Sequence, residues 1–250
     1  MPTDEAVAAG ATPAVLVAPD AAALAATTAT RLVTALADAV AARGSAAVAL
    51  TGGGIGVATL RELARFADTK ALDWRQVDVW YGDERFVGRD DADRNSRQAR
   101  EAGLAALPLD PARVHEIASA DEVATPEEAA QRYAAELLAG GGLPSFDVHL
   151  LGVGPEGHVN SLFPHSAALL SDEPVVAVHG CPKPPPVRVT LTLPVVLASR
   201  AVWVVASGPD KAEPLGKAAQ GASWRDVPVA GARGREQTLW LLDRQAAAAL

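Results

Sequence analysis

Runs of apolar and β-branched residues recur along the chain, separated by alanine-rich stretches whose apolar positions return at helical spacing. The order reads AVLVA (14–18), a helix over about 20–43, AAVALT (46–51), a helix opening near Gly56, then VDVWYG (77–82). Helices follow over about 96–106 and 126–139, then FDVHLLGVG (146–154) and AVWVVASG (201–208) before a lysine-bearing helix. Strands alternating with helices predict a mainly parallel sheet, because a strand returns parallel to its predecessor only through a crossover. VALT, VHLLGV and VWVVAS are apolar on both faces, which places them centrally with helices on either side. Residues 174–199 break the rhythm. The four prolines between 182 and 186 exclude helix and VRVTLTL alternates like a half-buried strand, so an antiparallel excursion is expected there. The glycines at 140–142 read as a helix C-terminus. With no internal repeat and no long linker, residues 1–250 read as one α/β domain.

Composition narrows the class. Of 250 residues, 49% are hydrophobic and 21% charged, and no run approaches about 18 apolar residues, which excludes disordered, collagen-like and membrane-spanning chains. The single cysteine, Cys181, supplies neither an internal disulfide nor a zinc cluster, so a reducing cytoplasm is the expected compartment. The first twenty residues carry acids where an export signal carries bases. A formal charge of −8 repels polyanions and argues against nucleic-acid partners. Lysine is confined to Lys70, Lys183, Lys211 and Lys217, so each of these cations is a candidate for a specific role.

Ligands of an open parallel sheet bind beyond the carboxyl ends of its strands, and four such ends carry unusual residues. Gly52, Gly53, Gly54, Ile55 and Gly56 lead from a strand into a helix and present backbone N–H groups suited to an anion, although a tight βα turn needs the same small residues. The loop is neither a Walker A sequence nor a full dinucleotide fingerprint. Asp83, Glu84 and Arg85 follow the next strand; Glu84 reads as solvated or structurally paired, and Arg85 as a fork for a substrate anion. Asp90, Asp91 and Asp93 lack the glycine and the closing glutamate of a calcium loop, and no histidine spacing suggests a metal. His158, in a glycine-bearing loop beyond a buried strand, is the best catalytic candidate. His115, His149, His165 and His179 fit packing or surface roles, and the five tryptophans fit the core. Lys211 lies near the positive start of a helix, a placement that suits a cation facing an anionic ligand. No GxSxG elbow is present, and Cys181 has no evident base.

Taken together, LTGGGIGVATLREL (50–63), VDVWYGDERFVGRDDADRNSRQAR (77–100), FDVHLLGVGPEGHVNSLFPHS (146–166), PPPVRVTLTLPVVL and VWVVASGPDKA resemble the 6-phosphogluconolactonase family. The resemblance covers most of 46–218 and rests on the combination of GlyAspGluArg, GlyHis before SerLeuPhePro, and ArgValThrLeuThr. It implies a Rossmann-like fold similar to glucosamine-6-phosphate deaminase and ribose-5-phosphate isomerase. It further implies hydrolysis of 6-phosphoglucono-δ-lactone without cofactor or metal, with His158 as general base. Arg85 and Glu156 stand beside it as catalytic residues. Gly52, Gly53, Gly54, Arg85, Asn95, Lys211 and Arg188 stand as substrate- or phosphate-binding residues. The chain departs from the family in reading ThrGlyGlyGlyIleGly where SerGlyGlySerThrPro is usual, and Glu156 replaces an aspartate. Two rivals remain: a deaminase or isomerase using Asp83 as base at C2, and a non-catalytic sugar-phosphate sensor. The deaminase pattern continues its GlyHis loop into AlaPheAsnGluPro, whereas this chain reads AsnSerLeuPhePro. No basic recognition helix supports the sensor.

Overall fold

The computed structural model describes residues 3–67 and 71–250, so Lys70 lies outside the described residues. In chain order the elements are α1 (Asp4–Ala8), β1 (Pro13–Ala18), α2 (Ala21–Arg43), β2 (Ala46–Leu50), α3 (Gly53–Leu63), β3 (Val77–Tyr81) and β4 (Asp83–Arg85). They continue with α4 (Asn95–Ala102), β5 (Val114–His115), α5 (Pro126–Leu137), β6 (Val148–Leu151), β7 (Val175–Val178) and β8 (Arg188–Leu191). The last are α6 (Leu193–Ala198), β9 (Ala201–Ala206), α7 (Ala212–Ala219) and β10 (Gln237–Asp243). One sheet is parallel throughout, in the order β1-β10-β9-β6-β2-β3-β5. The expected antiparallel excursion is a second sheet, β4-β8-β7. The strands read as central, β2, β6 and β9, do occupy the middle of the parallel sheet.

Successive residues of a strand point to opposite faces, and each face has its own core. Leu150, Trp203, Val205, Leu239 and Leu241 pack with Leu24, Leu32 and Leu36 of α2 and Leu60 and Leu63 of α3. Their neighbours Leu151, Val202, Val204, Trp240 and Leu242 pack on the other side with Leu215 and Ala218 of α7. A third cluster joins Ala129, Tyr133 and Leu137 of α5 to Val189 and Leu191 of β8, fastening the small sheet to the large one. Among the described residues α2 alone has the length and composition of a bilayer-crossing helix, yet it lies on the sheet with eight buried residues. Asp20 caps its start, accepting from the Ala23 N–H at 2.8 Å, and Gly44 ends it in the left-handed region at φ 82°.

The chain runs outward from β2 to β3 and β5, then returns to β6 on the opposite side of β2. The order therefore reverses between β2 and β6, and a crevice opens there beyond their carboxyl ends. The Gly152 N–H donates to Thr51 Oγ1 at 2.9 Å, which ties the loops after the two strands together across the reversal.

Several boundaries differ from the sequence expectation. The helix expected near Gly56 begins at Gly53, and the helix expected over 96–106 stops at Ala102, where Gly103 at φ 140° turns the chain into a single 3-10 turn. α5 ends at Leu137, so the glycines at 140–142 lie in the turn beyond it. Inside the stretch expected to be only extended, Leu193–Ala198 forms α6, because Pro194 sits in its first turn where no N–H is needed. β10 has no counterpart among the elements expected from sequence.

Candidate active site

The crevice is a cavity of about 550 Å³ lined by the loops after β2, β3, β6 and β9 and by the proline loop before β8. It collects His158, Arg85, Gly52, Gly53, Gly54, Asn95, Lys211 and Arg188 from the sequence reading, with Asp83 of the rival reading and Lys183 of the four lysines, and adds Thr51 and Asn160. Glu156 stands immediately behind His158.

Helix α3 begins with Gly52 as an N-cap that has no side-chain hydrogen bond, which leaves the first-turn N–H groups for an anion. A Cβ at position 52 would stand 2.2 Å from Asn95 Oδ1, so a larger residue there would have to displace that amide. Gly53 takes φ 81°, and Gly54 faces open space, so the loop has room for an anion near its backbone. Lys211 lies in the 3-10 turn Pro209–Lys211 just ahead of α7, with its ammonium 2.6 Å from Asp210 Oδ2. The turn is held from behind by Asp243 at the end of β10, which accepts from the Ser207 hydroxyl at 2.6 Å and from the Gly208 and Ala246 N–H groups. Arg85 donates to the Asp93 carbonyl and keeps Nε without a protein partner.

In the same cavity the 154–158 loop closes on itself. The Gly157 N–H donates to the Gly154 carbonyl, and the Gly154 N–H to the His158 carbonyl, each at 2.9 Å. The imidazole thereby lies on Gly154 with Phe163 beside it, ring centroids 4.4 Å apart. His158 Nδ1 stands 3.1 Å from Glu156 Oε1, a polar contact that becomes an ion pair only when the imidazole is protonated. Nδ1 is enclosed, so Nε2 is the nitrogen left for the cavity. Burial holds the imidazole below its usual range; Lys183 pushes the same way, while Glu156 and Asp83 oppose it. Burial raises the Glu156 carboxyl, but its own backbone N–H, His158 and Lys183 together hold it below the usual carboxylate range. The site therefore presents a neutral imidazole near pH 7, backed by a carboxylate.

A Cβ on Gly154 would lie 2.0 Å from His158 Cε1 and Nδ1 and 2.8 Å from Glu156 Oε2. Gly154→Ala is thus expected to displace the imidazole by about 1 Å and lower kcat roughly a hundredfold, with an unchanged far-ultraviolet spectrum. Steady-state kinetics beside circular dichroism would check both.

Asp83 is enclosed. Its carboxylate accepts from the Ser161 hydroxyl at 2.6 Å and from Asn95 Nδ2 at 3.2 Å, and Arg188 Nη1 lies 3.8 Å away. Asn95 thus directs its amide nitrogen to Asp83 and leaves Oδ1 unpartnered beside Gly52. Arg188 is 5% exposed and donates to the carbonyls of Lys183, Pro184 and Pro185 at 3.1–3.2 Å, which makes it the anchor of the proline loop. Glu84, read as solvated or paired, is buried: it accepts from the N–H groups of Arg85, Asn95 and Ser96, with Arg94 Nε at 3.9 Å. Asn160, at φ 50°, has both amide atoms enclosed without a protein partner. The other histidines lie elsewhere: His149 is in the core, pushed down to about 3 by burial, and His115, His165 and His179 each contact carboxylates. All five tryptophans are buried, none against the cavity.

Fold and cleft define an α/β protein that offers an anion-accepting helix start and a carboxylate-backed histidine in one crevice. Residues 19–240 match the family described as glucosamine-6-phosphate isomerases/6-phosphogluconolactonase, and the chain belongs to that family. The 6-phosphogluconolactonase of Streptomyces coelicolor is 48% identical over 248 residues, covering 96% of this chain and 95% of its own. The solved 6-phosphogluconolactonase of Trypanosoma brucei matches with a TM-score of 0.80 at 27% identity, over 96% of this chain and 99% of its own. A monomeric glucosamine-6-phosphate deaminase shares the fold, with a TM-score of 0.79 at 22% identity over 94% and 99% of the two chains.

Proposed function

We infer that the chain is a 6-phosphogluconolactonase: it hydrolyses 6-phosphoglucono-δ-lactone to 6-phosphogluconate, with His158 as general base. The observation that carries the reading is the largely enclosed imidazole of His158, with Glu156 at 3.1 Å, in the same cavity as the uncapped start of α3. The phosphate sits on the N–H groups of Gly52 to Gly54 with Lys211 beside it, and this anchor fixes how far along the cleft the lactone carbon lies. Water at that carbon gives a proton to His158 Nε2 as its oxygen bonds to C1. When the C1–ring oxygen bond breaks, the imidazolium returns a proton to the leaving oxygen. The carboxylic acid so formed loses its proton to solvent. The partner required is a small sugar-phosphate lactone, with no nucleic acid or membrane.

The deaminase alternative needs Asp83 free to take a proton at C2. That carboxylate is engaged by Ser161 and Asn95. The test is the disappearance of fresh 6-phosphoglucono-δ-lactone, corrected for spontaneous hydrolysis, beside ammonia release from glucosamine 6-phosphate. Lactone turnover without ammonia is expected; the converse overturns the reading. In the same assay Lys211→Ala is expected to raise KM for the phosphorylated lactone by roughly ten- to a hundredfold with kcat retained, and to leave unphosphorylated gluconolactone unaffected.

A further inference from the structure

Hydrolysis of a lactone creates negative charge twice at the same carbon. An oxyanion forms as water adds, and a carboxylate remains when the ring has opened. Both need a donor near His158.

One lysine stands beside the pair of His158 and Glu156. Lys183 lies in the loop between β7 and β8, lines the cavity, and places its ammonium 3.4 Å from Glu156 Oε2. Glu156 Oε1 is in turn 3.1 Å from His158 Nδ1, so base, carboxylate and ammonium form one cluster. The loop that carries the lysine is fixed in three ways. Prolines 182, 184, 185 and 186 restrict its backbone. Arg188, itself buried, donates to the carbonyls of residues 183, 184 and 185. The Cys181 N–H donates to the Pro186 carbonyl at 2.9 Å and closes the loop at its base. A solvent-facing lysine has no need of such a frame. The ammonium remains accessible, with its side chain 41% exposed, so an incoming ligand can take it from Glu156 without burying a bare charge.

We propose that Lys183 is a substrate-contacting residue of the lactone end, whose ammonium receives the oxyanion as water adds to C1 and then the carboxylate of the product. The inference rests on the lactonase reading and deepens it. The two lysines of the cleft thereby take separate roles, Lys211 meeting the phosphate and Lys183 the reacting carbon. Charged groups face His158 from three elements: Glu156 on its own loop, Lys183 on the proline loop and Asp83 on β4. Of these only Lys183 disfavours the imidazolium, and it also competes for Glu156, so its removal makes His158 easier to protonate.

The test compares wild type, Lys183→Met and Lys183→Arg in lactone hydrolysis and in inhibition by two ligands, 6-phosphogluconate and glucitol 6-phosphate, which lacks the carboxylate. Lys183→Met is expected to lower kcat roughly ten- to a hundredfold and to weaken 6-phosphogluconate about tenfold while leaving glucitol 6-phosphate unchanged. The acid limb of its kcat/KM profile moves to higher pH, and Lys183→Arg restores most of the rate. Equal weakening of both inhibitors, or an unshifted acid limb with normal kcat, overturns the proposal. Absence of wild-type turnover would sink the lactonase reading itself, a result separable from either of these.

Discussion

Replacing His158 with alanine is expected to lower kcat by about a hundred- to ten-thousandfold, the range a general base contributes, while KM stays within about twofold. The expectation follows from division of labour along the crevice. Gly52 to Gly54 form the start of α3 and Lys211 lies in the turn after β9, so loss of the His158 ring leaves these phosphate-binding groups intact. The pH dependence follows from the same geometry. Burial holds the free imidazole below 6.5, so kcat/KM is level through neutrality and falls only as pH drops through the folded value. His149 gives the control for unfolding. Its folded value of about 3 means that the unfolded chain takes up a proton first as pH falls below 6.5, so stability also declines on the acid side. The limb is therefore read together with a stability measurement at each pH. Retained turnover in the alanine variant would remove His158 from the mechanism.

Much of this arrangement is legible in the order of residues alone. Strands apolar on both faces identify the middle of the sheet, because only central strands of a parallel sheet are covered twice. The rule that ligands meet the carboxyl ends of strands then points to Gly52, Arg85, His158 and Lys211, which the fold does gather into one cavity. What stays hidden depends on contacts distant in sequence. QTLWLLD has one β-branched residue, Thr238, and becomes β10 because β1 and β9 pair with both of its edges. With that strand goes Asp243, which anchors the turn of Lys211. Lys183 stands out in sequence only as one of four lysines, and its loop reaches the site because β8 pairs with β4, across a separation of about a hundred residues. Asn95 and Arg188 read as ligand contacts. The structure adds that each also ties loops together, a use that residue type alone does not reveal.

Arg94 shows how the strand that carries Arg85 is held in place, and Arg94→Met is expected to destabilise the protein by about 3–5 kcal/mol. Glu84 and Arg94 have side chains 1% exposed, with Nε 3.9 Å from Oε2. Arg94 also donates to Ser96 Oγ and to the Ile117 carbonyl. The carboxylate in turn accepts the first N–H groups of α4, which joins β4 to that helix and sets Arg85 and Asn95 on either side of the junction. Burial raises the Glu84 carboxyl above its usual range, against the pull of Arg94 and of these N–H groups. The fold thus holds this proton more tightly than the unfolded chain does, and the contribution of Glu84 to stability falls as pH rises from the unfolded value of about 4.3 toward the folded one. Without Arg94 the folded value climbs further, so the cost is largest near pH 7 and shrinks as pH falls below the unfolded value, where Glu84 becomes neutral in both states. Denaturant unfolding of the two proteins at several pH values would measure it. A penalty below about 1 kcal/mol, or one that does not diminish on acidification, would show that the pair is not what binds β4 to α4.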